Sequence, residues 1–192
     1  MNALPLGKPA LMTVAEFADW PGDGTDSNHE LIGGIPVAQA QPSPEHGTIQ
    51  ANITGLAFLA LRDRPPCRPI TEAGLAKSFR HHTMRAPDVV LTCQEPVRRT
   101  LLEATVIFEV LSPSNWADTL AKLPFYASLP GVREIVLVDS RRMEVTVYRR
   151  HDDGDDWVDA PEERLTEPGH VLRLPSMDIA MSLADIYRNV PF

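Results

Sequence analysis

Two stretches near the middle of the chain, Ala86-Pro-Asp-Val-Val-Leu-Thr92 and Thr105-Val-Ile-Phe-Glu-Val-Leu111, are rich in β-branched residues and apolar at almost every position. Strands that alternate bury one face, whereas strands that do not are covered on both, so these two are predicted to be central strands with layers above and below. Further strands are predicted over Ile70 to Ser78, Glu134-Ile-Val-Leu-Val-Asp139 and Met143 to Arg149. Upstream, His29-Glu-Leu-Ile-Gly-Gly-Ile-Pro-Val-Ala-Gln-Ala40 reads as a short hairpin, with Gly33 and Gly34 supplying the positive φ angles of a tight turn.

The period changes to that of a helix after Ser43. Ile49, Ile53, Leu56, Ala57, Ala60 and Leu61 recur on one side, behind a Ser43 N-cap and Pro44 in the first turn, and the helix is predicted to end near Arg64. A second long helix is predicted between about Asn115 and Ser128, stopped by Pro130 and Gly131. Thr13-Val-Ala-Glu16 has capping-box spacing and opens a short helix to about Trp20, while Ser182-Leu-Ala-Asp185 caps a last one through Tyr187. The pattern is that of an α+β (α/β) protein, a mixed sheet flanked by helices. A chain of 192 residues with 43% hydrophobic content predicts one domain over 1–192.

Composition narrows the function classes. No run of about 18 apolar residues occurs, and Lys8 with its neighbouring prolines and glycine breaks up the N-terminus, so a soluble, cytoplasmic protein without a membrane partner is expected. Cys67 and Cys93 stand apart without CxxC spacing and are expected to be unpaired buried thiols rather than a disulfide or zinc site. The net charge of −8 argues at first against a polyanionic partner. Between Asp152 and Glu167, however, eight acidic residues stand against one arginine, in what reads as a surface loop, so the acidity is local. A positive segment, Lys77, Arg80, His81, His82 and Arg85, runs up to the first central strand.

The chemistry lies in those central strands. Each carries one carboxylate, Asp88 and Glu109, where an unpaired buried charge is expensive. Antiparallel pairing about a connection centred on Arg98 and Arg99 sets Asp88 opposite Glu109 and Thr92 opposite Thr105. Opposed residues share a face with Cβ atoms about 4.5–5.5 Å apart, close enough for two carboxylates to hold one divalent cation such as magnesium. Such a pair suits phosphodiester hydrolysis, which also calls for a nearby cation. Lys122 is the candidate, because Asp118, Lys122 and Tyr126 form one stripe of the second long helix; the alternative is a solvated Asp118–Lys122 pair. Pro124 within that helix complicates its geometry.

Taken in order, Ala86-Pro-Asp-Val-Val90, Phe108-Glu-Val-Leu-Ser-Pro-Ser114, Asp118-x3-Lys122-Leu-Pro-Phe-Tyr126, Pro130-Gly-Val-Arg-Glu134 and Val138-Asp139 resemble the Uma-type restriction endonucleases within the PD-(D/E)XK nuclease superfamily. The resemblance also takes in the Met12 to Phe17 segment, the His29 hairpin and Ser43-Pro-Glu-His46, and so covers about residues 12 to 187. It implies a restriction-endonuclease-like mixed sheet, a Mg2+ (or Mn2+) cofactor, DNA as partner and Glu30 as an additional site acid; the sequence leaves the oligomeric state open, with a homodimer as one expectation. Two positions depart from the pattern. The superfamily's E-X-K places lysine where this chain has Leu111, so Lys122 substitutes from the helix, and Gly33 and Pro36 stand where relatives carry acidic residues. His46 matches the family's histidine and is expected to cap or pack the helix.

Other motifs carry less. His29-Glu30 lacks the second histidine of a zincin, and Ser112 and Ser114 lack a nucleophile elbow and fit N-capping of the next helix. The reading is a magnesium-dependent endodeoxyribonuclease with Asp88 and Glu109 as metal ligands, Lys122 as charge stabiliser or water activator, and Glu30 as auxiliary acid. Its rival is a nuclease-fold protein without useful turnover that binds or regulates.

Overall fold

The computed structural model describes residues 11–96, 100, 103–112, 116–151, 157 and 161–192. Its elements run α1 (Val14–Ala18), β1 (His29–Ile32), β2 (Ile35–Ala38), α2 (Pro44–Leu61), β3 (Arg68–Thr71), β4 (Leu75–Ala76), β5 (Met84–Arg85), β6 (Val89–Thr92), β7 (Val106–Leu111), α3 (Trp116–Ala127), β8 (Glu134–Asp139), β9 (Val145–Arg149), β10 (Glu163–Leu165), β11 (Val171–Leu174), β12 (Ile179–Ser182) and α4 (Leu183–Ile186). A six-stranded mixed sheet in the order β10-β9-β8-β7-β6-β3 forms the centre. β7 and β8 are parallel, and α3 supplies the crossover that a parallel pair requires.

Residues of the central strands alternate between two cores, as a pleat demands. Val89, Leu91, Val106, Phe108, Val110, Val136 and Val138 face Ile49, Ile53, Ala57 and Leu61 of α2, together with the β11–β12 hairpin and α4. Val90, Ile107, Leu111, Ile135 and Leu137 face Tyr126, Leu129 and Val132, in and just beyond α3. β6 and β7 are buried at every position. The helices are therefore layers on either side of the sheet, and whether a position is odd or even along a strand decides which layer its side chain meets.

Local signals act where they stand. Thr13 closes a full capping box with Glu16, Ser43 accepts from the His46 N–H, and Ser182 accepts from the Asp185 N–H. The β1–β2 turn has φ of 56° at Gly33 and 87° at Gly34, values that a side chain rarely tolerates. Pro124 lies inside α3 without ending it.

Three expectations are corrected. Ile70 to Ser78 is not one strand. Glu72 adopts a positive φ of 50°, and the chain leaves the large sheet after β3 to enter a four-stranded sheet, β2-β1-β5-β4. Cys67 and Cys93 are joined in a disulfide, because they flank the first rung of the β3–β6 ladder, Arg68 opposite Thr92, and so face each other across the strands. The acidic stretch is not wholly a loop, since Glu163–Leu165 pairs with β9 at the sheet edge. Residues 152–156 and 158–160 of that stretch, the connection at Arg98 and Arg99, and Ser114 lie outside the described residues. No described helix is long and apolar enough to cross a membrane.

Candidate active site

The β6–β7 register pairs Val89 with Phe108, Val90 with Ile107 and Leu91 with Val106, and the next position along sets Asp88 beside Glu109. The ladder is altered there. Val110 donates its N–H to Asp88 Oδ2 at 2.6 Å, so the carboxylate itself occupies the end of the strand pair. Gln50 Nε2 donates to the Asp88 carbonyl at 2.9 Å, and the Glu72 N–H reaches the same oxygen at 3.3 Å. His46 Nε2 donates to Asp88 Oδ1 at 2.9 Å. Asp88 is thus held from α2, from β7 and from the bend after β3.

Glu109 lies on the opposite side of its strand from Val110 and so points under α3. It is buried, and Lys122 Nζ lies 3.5 Å from its Oε1, which also accepts from the Tyr126 hydroxyl. The helical stripe splits: Lys122 and Tyr126, one turn apart, face the sheet, while Asp118 is exposed. Lys122 Nζ also lies 3.1 Å from Glu30 Oε1. Glu30 comes from the small sheet, where Leu31 opposes Met84 and its own neighbour across the strands is Arg85. Arg85 Nη1 donates to Glu30 Oε2 at 2.8 Å and the Ala86 N–H to Oε1 at 3.0 Å. Glu30, Glu109 and Lys122, read from the sequence, are therefore joined by direct ion pairs, and Asp88 stands beside Glu109 in the strand register, near enough to act on its charge.

Electrostatics follow from that packing. Burial pushes the Glu109 carboxyl up to about 8; Lys122 opposes the shift and Asp88 adds to it. Burial pulls Lys122 down, but the Glu109 and Glu30 carboxylates outweigh it and the ammonium is held above its ordinary value. Tyr126 is raised well above its usual range by burial and then by Glu109, so it stays a donor. Three carboxyl groups, Glu30, Asp88 and Glu109, thus share two cations, Lys122 and Arg85. Among the described residues, no group of three or more His, Cys, Asp and Glu side chains converges as a ready-made metal cage.

Two expectations change. His46 neither caps its helix by its side chain nor simply packs; its ring holds Asp88. Its place one turn into α2 was legible, but its partner lies 42 positions away, and only the packing of α2 beside the sheet end brings the two together. Arg85, read as part of a positive approach surface, turns inward to Glu30, whereas Lys77, Arg80 and His82 are exposed and His81 rests against Phe125. No sequence signal marked Arg85, because its partner lies 55 positions away on a strand of the other sheet.

A mixed sheet layered by helices, with acidic residues opposed across its central antiparallel pair, defines a restriction-endonuclease-like protein. The chain belongs to the Uma2 family, described as "Putative restriction endonuclease", whose pattern matches residues 14–184. An uncharacterized protein of Synechocystis sp. is 27% identical over 185 residues, 94% of either chain. The crystal structure of a "putative nuclease belonging to DUF820" from Anabaena variabilis resembles this chain with a TM-score of 0.72, at 20% identity, over 92% of this chain and 97% of that one. At that identity the likeness is one of fold.

Proposed function

We propose that the protein is a magnesium-dependent endonuclease that hydrolyses DNA phosphodiester bonds, with Asp88 and Glu109 as metal ligands. The observation that carries this reading is the meeting of Asp88, Glu109 and the Lys122 ammonium at the end of β6 and β7. A divalent cation fits the groups present. The donors are carboxylate oxygens, and the Glu109 carboxyl is driven toward its neutral form by burial and by Asp88, a conflict that a cation removes. Two protein carboxylates suit magnesium, which keeps several waters and takes substrate phosphate oxygens for its other positions. When bound, the ion supplies Lewis-acid polarisation of the phosphoryl group and lowers the pKa of water.

The chain's own residues do the rest. His46, Val110 and Gln50 fix Asp88, so that its orientation does not depend on the ligand. Tyr126 fixes Glu109 and remains protonated. Lys122, raised and so cationic at neutral pH, stabilises charge developing on the phosphoryl oxygens rather than acting as a base. Glu30 holds Lys122 in place as the auxiliary acid, itself anchored by Arg85. Exposed Lys77, Arg80 and His82 support an approach path for DNA. A homodimer is the assembly this proposal carries, which sedimentation with and without a duplex checks.

The deciding experiment is a cleavage assay over single-stranded, duplex and branched DNA with magnesium, manganese and chelator, comparing the parent with Asp88→Ala and Glu109→Ala. Cleavage that needs the ion and is lost in both variants is expected. DNA binding without cleavage under any of these conditions would favour the binding or regulatory reading, for which Leu111 in the usual lysine position speaks.

A further inference from the structure

Beyond Glu109 on the same sheet face lies a small cavity. Leu111 opposes Asp139 in the parallel β7–β8 pair, and both share the face of Glu109 and Leu137. Leu111, Ser112, Trp116, Asp139 and Arg141 line a cavity of about 270 Å³. This is below the roughly 300–1,000 Å³ of a drug-sized pocket and suits one planar ring. Two residues of strand place it about 7 Å from the Glu109 position.

Its lining is unusual for a gap in a core. Trp116, at the start of α3, is 42% exposed, although it is the largest apolar side chain there. Asp139 is only 4% exposed. Its Oδ1 accepts from the Arg141 N–H at 2.8 Å and so closes the turn after β8. Its Oδ2 makes no hydrogen bond among the described residues, and its charge neighbour is Arg142 Nε at 3.3 Å, which is shared with Glu144. A buried carboxylate oxygen without a hydrogen bond calls for a donor. An exposed indole beside it offers a stacking surface, and Arg141, exposed at the rim, offers a cation for a phosphate.

We infer that this cavity is a nucleobase subsite for an unpaired nucleotide next to the reacting phosphate, with Trp116 stacking on the base and Asp139 accepting from an exocyclic amine. Cytosine is the base it favours over thymine, because cytosine presents an amino donor where thymine presents a carbonyl acceptor that a carboxylate repels. A base in a Watson–Crick pair has that amine engaged and its faces stacked, so the subsite selects single-stranded or locally opened DNA. The inference rests on the nuclease reading and deepens it.

The test is fluorescence anisotropy with the full chain in chelator, so that no cleavage occurs, using labelled oligo-dC, oligo-dT and a blunt duplex. The parent should bind oligo-dC about tenfold more tightly than oligo-dT. Trp116→Ala should weaken both single strands about tenfold and leave the duplex unchanged. Asp139→Asn, which keeps the shape and the turn, should erase the preference for dC while leaving dT binding the same or tighter; thermal melting checks that both variants fold. Equal binding of dC and dT by the parent, or equal losses on single strand and duplex in Trp116→Ala, would overturn the subsite and leave the nuclease reading standing. Failure of the parent to bind DNA in any form, in chelator and again with calcium in place of magnesium, would remove the DNA reading and the subsite with it.

Discussion

Lys122 Nζ lies 3.1 Å from Glu30 Oε1, so that a helix layered on the large sheet is tied to a strand of the small one. The same ammonium stands 3.5 Å from Glu109 Oε1, and one side chain therefore answers two buried carboxylates. Lys122→Met keeps the apolar stem and removes the charge. It is expected to abolish cleavage while leaving the fold intact. Removing one partner of a buried pair costs about 3–5 kcal/mol, but Glu109 can escape by taking a proton. Urea unfolding of the metal-free variant should show a larger loss at pH 9 than at pH 6; equal losses would remove the coupling between Lys122 and Glu109.

The raised Glu109 carboxyl makes a signed prediction about pH. Its ordinary value is 4.5 and its folded value is about 8, so its contribution to stability is fully present below 4.5 and is lost as pH rises through about 8. The metal-free protein should weaken across that window, and Glu109→Gln should flatten the slope. If Glu109 is a metal ligand as proposed, magnesium or manganese binding releases the proton, and the stabilisation by metal should grow over the same range. Calorimetry at pH 6.5 in buffers of different ionisation heat reads the proton directly, and binding without proton release would contradict the assignment.

On the proposed reading, His46 acts through Asp88. Its ring nitrogen is 2.9 Å from Oδ1, and loss of such a partner typically costs 10–100-fold in metal affinity or activity. His46→Ala is expected to fall in that range, with manganese affinity and cleavage dropping together. His46→Gln, which can still donate, should recover part of the loss. Parent-like manganese binding in the alanine variant would show that Asp88 is held well enough without the ring.

The positive segment divides into two parts that mutation should separate. Lys77 and Arg80 are exposed, and replacing both with glutamine should weaken DNA binding and make its dependence on salt shallower by about two counterions. Arg85→Gln should act differently, since it removes one of the two cations that hold buried Glu30 and is expected to lower the melting temperature before it alters the salt slope. Anisotropy over a salt series and a melting curve for each variant distinguish the two. An unchanged slope in the double variant would move the approach path elsewhere.

Much of this molecule is decided locally. The β-branched runs of β6 and β7 need no distant partner to be recognised, and the Gly33-Gly34 turn and the three N-caps act within a few residues. The pairing of Asp88 with Glu109 was also legible, because antiparallel register follows from where the connection is centred and from the period of two. What the sequence could not state is which strands leave one sheet for another. Glu72 breaks a run that reads as continuous, and only then do β4 and β5 carry Arg85 to Glu30. The Cys67–Cys93 bond likewise depends on the pairing of β3 with β6, and the role of His46 depends on where α2 starts relative to the sheet end. Propensity and periodicity are properties of neighbours in the chain, so they determine elements, faces and register. Ion pairs, disulfides and buried hydrogen bonds join residues tens of positions apart, and only the tertiary packing of sheets and helices decides them.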